Sequence, residues 1–133
     1  MKPIDQTLFG WPHGNCHSAC LASIFEVPLD SVPHDLGSRP DVREAIDSFL
    51  SGLGYKADCF SFKRGHEWWP EWNSHCVIVG LAERGFDHAV VGLHGNIVHD
   101  PHPSRAGLIG INCDVWIYTV KPPMIELPKT VVM

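Results

Sequence analysis

No run of the sequence approaches the roughly 18 apolar residues that a membrane-spanning helix needs, so no membrane partner is expected. Basic residues are scarce. Ten Lys and Arg face fifteen Asp and Glu, for a net charge of −5. No basic stripe stands out, which argues against nucleic acid as a partner. The opening "MKPIDQTLFG" lacks the apolar core of a secretory signal. Five cysteines, an odd number at irregular spacings, do not suggest a disulfide framework. Reduced thiols and a cytoplasmic location are expected instead. Repeats and domain linkers are also missing, so residues 1–133 read as one domain, with an irregular arm over 1–15 and a proline-containing tail over 121–133.

What is present falls into two halves. From Cys16 to Val27 the apolar positions 16, 20, 21, 24, 25 and 27 follow a helical period. Asn15 suits the N-cap, and Pro28 stops the helix. "PLDSVP" reads as a single turn. A second helix is expected from Pro40, burying Val42, Ala45, Ile46, Phe49, Leu50 and Leu53 and ending at Gly54. Beyond it, "YKADCFSF", "HCVIVGLA", "DHAVVGL", "NIVHD" and "DVWIYTV" are β-branched or alternating runs bounded by turn residues. "HGN" at 94–96 is the turn of a hairpin. The fold class predicted is α+β, with N-terminal helices packed on an antiparallel β-sheet.

Cys16 and Cys20 lie one helical turn apart but are not equivalent. A helix N-terminus lowers a thiol's pKa through its unpaired N–H groups, and Cys16 stands there. Cys20, one turn in, suits the core. A thiol nucleophile needs a base, and the base needs an orienting group. Nine histidines offer themselves, and the hairpin selects among them. Residues whose numbers sum to about 189–191 face each other across its turn, which brings Asp100 within side-chain reach of His88. A carboxylate there fixes the imidazole's tautomer and stabilises its cation. His99 points to the other face by alternation.

The spacings His13-x2-Cys16 and His17-x2-Cys20, with His99 and His102, also suggest a zinc-binding protein. Both pairs overlap in one stretch, however, and structural zinc usually draws on two separated pairs. No metal and no cofactor is therefore expected in the leading reading.

"GNCHSACLASIF" followed by "HAVVGLHGNIVHDPHPS" resembles the papain-like cysteine peptidases, in particular the compact bacteriocin-processing double-glycine peptidases. The sequence is similar as well to short bacterial and phage papain-like proteins with a "QT-FG…GNC…AC" start. The resemblance covers residue 6 to about residue 120. It implies a papain-like fold, a chain order of Cys, His and Asp, and a glutamine ahead of the cysteine that donates to the oxyanion. Gln6, the one glutamine of the chain, is the candidate, although it stands further ahead of Cys16 than the family's spacing. Asn15 and the N–H of Cys16 are alternative donors.

The expectation is a thiol hydrolase or acyl-transfer enzyme acting on a peptide, isopeptide or amide bond of a peptide or protein substrate. Cys16, His88, Asp100 and Gln6 are its catalytic residues. Asn15, Trp68, Trp69 and Trp72 are its candidate substrate-binding residues, the three indoles forming a lip in the loop "KRGHEWWPEWN". A catalytically silent papain-like binding module is the other alternative.

Overall fold

A computed structural model describes residues 1–63 and 73–122. Two α-helices, α1 (Cys16–Phe25) and α2 (Val42–Gly52), precede five strands: β1 (Tyr55–Lys63), β2 (Cys76–Leu81), β3 (Asp87–Leu93), β4 (Asn96–His99) and β5 (Asn112–Val120). All pairings are antiparallel, and the sheet order is β1-β5-β2-β3-β4. The expected α+β class holds. Among the described residues no helix is long and apolar enough to cross a membrane.

The helices cover one face of the sheet. Leu21, Ile46 and Leu50 pack there against Ala57, Val77, Ala89, Val91, Trp116 and Tyr118. Strand alternation sends Cys76, Ile78, Val90, Val115 and Ile117 to the other face, which Leu108 helps to close. Each face therefore has its own apolar cluster, and the sheet is the middle layer.

Several expectations shift at their edges. α1 ends at Phe25, two residues before the predicted Val27, because Glu26 turns left-handed at φ 54° and its N–H bonds Ala22 O. Pro28 follows as the block to regrowth. α1 is also buried nearly all round, from His17 to Ser23. Its small residues let it sit under the arm, against β3 and near the turn at Leu29–Ser31. α2 begins at Val42, not at Pro40. Asp41 takes the N-cap position, and its carboxylate is held outside the helix by Arg39 at 2.7 Å. Ile46 and Leu50 are fully buried as predicted, whereas Leu53 is exposed. It lies beyond the last turn, where Gly54 adopts φ 82° and leads the chain into β1.

The hairpin forms as its turn chemistry requires. His94 and Gly95 both take positive φ, 52° and 78°, the combination that matches strand twist in a two-residue turn. Leu93 faces Asn96 and Gly92 faces Ile97, and a bulge then places His99 opposite Val91. These sums of 189 and 190 fall in the predicted register. Gly92 gives Ile78 its room, since a Cβ there would lie 2.5 Å from Ile78 Cδ1 and that side chain would have to shift. Trp68, Trp69 and Trp72 lie outside the described residues, as does the tail from residue 123.

Candidate functional site

The site is built around a carboxylate. Asp100 leaves the end of β4 and is 5% exposed. Its Oδ1 lies 2.7 Å from Nε2 of His88, itself 3% exposed. The same oxygen accepts the His102 N–H at 2.9 Å, and Oδ2 accepts the Gly107 N–H at 2.7 Å. Burial pushes this carboxyl up. The bonds from His88, His102 and Gly107 outweigh that and hold it below the usual carboxylate range. The expected His88–Asp100 contact is present. Because Asp100 occupies Nε2, Nδ1 is the ring nitrogen left for chemistry.

The arm is tied to this loop. Gln6 N–H donates to Pro101 O at 3.0 Å. Arg105 grips both oxygens of Asp5, at 2.6 and 2.8 Å, and also bonds Asp100 O. His99, turned to the other side as expected, meets Ile4 O at 2.9 Å. Upstream, Ser23 Oγ accepts the Ile4 N–H at 2.8 Å from inside α1. These bonds lay the arm against the later part of α1 and bring Gln6 to the loop that follows Asp100.

A cavity of about 490 Å³ opens between arm and sheet, and Gln6, Cys16, His17, His88 and His102 line it. Its arm-side wall is Phe9 to Pro12 with Gly14. Gly14 allows that wall to close, because its N–H bonds Gly10 O at 2.6 Å and a Cβ would lie 2.6 Å from the same oxygen. Facing it are Arg84 and Phe86 from the β2–β3 turn.

Cys16 is half-buried at the first position of α1, and Cys20 is fully buried. The nearby backbone N–H groups of Ala89, His17 and Cys16 favour the charged form of the Cys16 thiol. Burial nevertheless prevails and pushes the thiol up. The pKa lowering expected at a helix N-terminus is present as a set of amide donors but is outweighed by desolvation. Cys20 is pushed well up by burial with no such donors.

Cys16 and His88 reach the cavity from different sides. His88 pairs with Gly80 across β2–β3, so alternation gives it the face of Ile78 and Val90. Cys16 comes from the helix face and lies near the N–H of Ala89, the next residue along. They share the cavity at the start of β3, and among the described residues no hydrogen bond joins them.

Gln6 is buried in the cavity wall. Its Nε2 donates to Leu8 O at 3.0 Å, which assigns that atom as the nitrogen and leaves one N–H over; Oε1 has no partner. Asn15 occupies the N-cap position but makes no side-chain cap bond. Its Oδ1 accepts the N–H groups of Thr7 and Leu8, both at 2.9 Å, and its Nδ2 donates to Thr7 Oγ1. The Asn15 amide therefore holds the arm.

The residues of the alternative zinc reading are dispersed. His13 pairs with Asp35 at 3.0 Å, the His17 ring packs edge-on against Trp116, and Cys20 sits in the core. Among the described residues no three His, Cys, Asp or Glu side chains gather as a metal site. Phe9, Trp11, Arg84 and Phe86 were not singled out from the sequence. The turn-rich composition around the first two was the available signal, since glycines and prolines flank exposed aromatics there. No family model matches the chain, and no curated protein or solved structure matches it.

Proposed function

We propose that this α+β protein is a papain-like thiol hydrolase or acyl-transfer enzyme acting on a peptide, isopeptide or amide bond. One observation carries the reading. Cys16, His88 and Gln6 line a single cavity, and a buried, fully hydrogen-bonded Asp100 stands behind His88.

Cys16 Sγ attacks the carbonyl carbon, and its proton passes to Nδ1 of His88. Asp100 stabilises the resulting imidazolium, as buried carboxylates do in such triads. The oxyanion is held by the remaining Gln6 N–H or by the backbone N–H groups of Cys16 and His17 at the start of α1. The C–N bond then breaks, and His88 gives its proton to the departing nitrogen. A thioester remains on Cys16. Water or an amine attacks it while His88 takes the attacking group's proton; the C–S bond then breaks, the acid or new amide leaves, and His88 passes that proton to the Cys16 thiolate. The Cys16–His88 contact belongs to the loaded enzyme, since catalytic hydrogen bonds are often long before substrate closes the site.

A catalytically silent binding module is the second reading, favoured by the raised Cys16 thiol. Peptide-like electrophiles of varied acyl group separate the two, read by intact mass and peptide mapping. The enzyme reading predicts a single adduct on Cys16 that loses its selectivity in H88A. Labelling indifferent to His88 favours the binding module.

A further inference from the structure

We propose that Arg84 and His102 form a subsite for a carboxylate on the leaving half of the substrate, so that the bond cleaved joins an acyl group to an amino acid with a free carboxylate. This rests on the hydrolase reading, because the departing nitrogen must lie beside the residue that protonates it, His88. The wall on that side is the β2–β3 turn together with the 100–107 loop, and it presents Arg84 and His102 to the cavity.

Arg84 is available for a ligand. Among the described residues its one hydrogen bond runs from Nη1 to Ser104 Oγ at 3.2 Å. Every other described arginine is engaged: Arg39 with Asp41, Arg105 with Asp5, and Arg43 over the ring of Trp116 at 5.8 Å. Among the described residues Arg84 alone has neither a carboxylate nor a ring as partner. A guanidinium with a free fork matches a carboxylate in shape as well as in charge.

His102 adds a neutral donor. The Ser104 N–H donates to its Nδ1 at 3.0 Å, so in the neutral ring the proton sits on Nε2. Burial and the neighbouring Arg84 charge hold His102 below the usual imidazole range, which keeps it neutral near pH 7. Its ring stands perpendicular to that of His88, with centroids 6.0 Å apart. Ser104 Oγ meets both Arg84 Nη1 and His102 Nδ1, at 3.2 and 2.8 Å, and so fixes the spacing of the two donors.

Nearby carboxylates do not fill the place. Asp100 is saturated by three donors, and Asp5 is held by Arg105. Asp87 also lines the cavity, but no ion pair joins it to Arg84. Two sources offer the ligand chemistry: the C-terminal residue of a peptide, and the amino-acid half of a small N-acyl amino acid.

Two pools of acetylated tripeptides of the same sequences test this, one ending in free carboxylates and one in primary amides, with acetylated single amino acids as a third arm. Turnover by the wild-type chain is followed by mass spectrometry. Binding to C16A is followed by NMR titration. A preference of at least about tenfold for carboxylate over amide is expected, the scale of one charge-assisted hydrogen bond pair, expressed mainly in KM. R84Q should bring the carboxylate pool down to the level of the amide pool, and R84K should fall between. Equal handling of the two pools, or a preference that survives R84Q, overturns the subsite. Arg84-dependent binding to C16A without wild-type turnover keeps the subsite and removes the hydrolase. Turnover without preference does the reverse, and a pool that is neither bound nor turned over removes the subsite. The third arm distinguishes a peptide end from a small N-acyl amino acid.

Discussion

On one side of the cavity Asp100 receives three hydrogen bonds and is 5% exposed. On the other, Phe9 and Trp11 stand 54% and 73% exposed, on a loop that closes around Gly10 and Gly14. The first wall carries the groups that must hold a proton at a fixed atom. The second carries apolar area with few internal ties. Precise chemistry needs side chains locked by their neighbours, whereas a recognition surface can keep its aromatic faces free. The two walls are joined through the arm, by Asp5–Arg105 and Gln6–Pro101. Position on the locked side thus sets position on the open side.

The largest expected effect comes from the locked wall. D100A leaves the His88 ring and two backbone N–H groups without their acceptor. Turnover should drop by a factor on the order of 10³ to 10⁴, as for loss of an orienting triad carboxylate. Stability should fall by roughly 3–5 kcal/mol, the cost of stripping one partner from a buried pair. Urea unfolding and turnover of the folded fraction measure both. A loss of activity alone would mean that Asp100 orients His88 without holding the loop.

Next in size is a pH effect at the base of the cavity. Burial lowers the His17 imidazole to about 4, and its Nε2 has no partner. The folded state thus prefers the neutral ring, while the unfolded chain takes up a proton near pH 6.5. Stability from this group is fully present above pH 6.5 and lost as pH falls towards 4, by about 3 kcal/mol. Asp100, with its lowered carboxyl, loses its contribution only below the ordinary carboxylate range near 3.9. H17Q should therefore flatten the stability profile between pH 6.5 and 4 and leave the steeper loss below it. An unchanged profile would show that His17 takes up its proton in the fold as readily as in the unfolded chain.

A smaller effect is expected in the open wall. G14A places a methyl 2.6 Å from Gly10 O, and the loop must move. The cost should be about 1–3 kcal/mol, as for a group forced into filled space. The displaced wall should also raise KM more than it lowers kcat. The smallest effect on stability belongs to W11A, whose ring is mostly in solvent. Its unfolding midpoint should match the wild type while KM rises. A stability loss in W11A comparable to that in G14A would erase the contrast between the walls.

Legibility in the sequence followed the range of the interactions. The hairpin was readable because a two-residue turn at His94 and Gly95 sets a register over a few residues, and the His88–Asp100 contact follows from it. The start of α1 at Cys16 was readable from Asn15 and the apolar period. The role of Asn15 was not, because its amide bonds Thr7 and Leu8 in preference to the helix. That choice depends on where the arm runs. The arm's path is set by Ser23, Pro101 and Arg105, up to 100 residues away, and local pattern carries no trace of it. The balance at Cys16 was hidden for a similar reason. The helix N-terminus is local, but the burial that outweighs it is tertiary, since Cys16 packs against the core cluster between helices and sheet. The opposite approach of His88 and Cys16 to the start of β3 was implicit in strand alternation, since His88 shares parity with Val90 in "DHAVVGL".

The central claim is that Cys16 is the nucleophile and His88 its base. The most direct measurement is the rate of alkylation at each cysteine by peptide mapping at pH 6, in the wild type and in H88A. Cys16 should react much faster than Cys20, Cys59, Cys76 and Cys113, and H88A should remove most of that advantage. If Cys16 labels no faster than Cys59, the other half-buried thiol, or if its rate is the same in H88A, the account is contradicted.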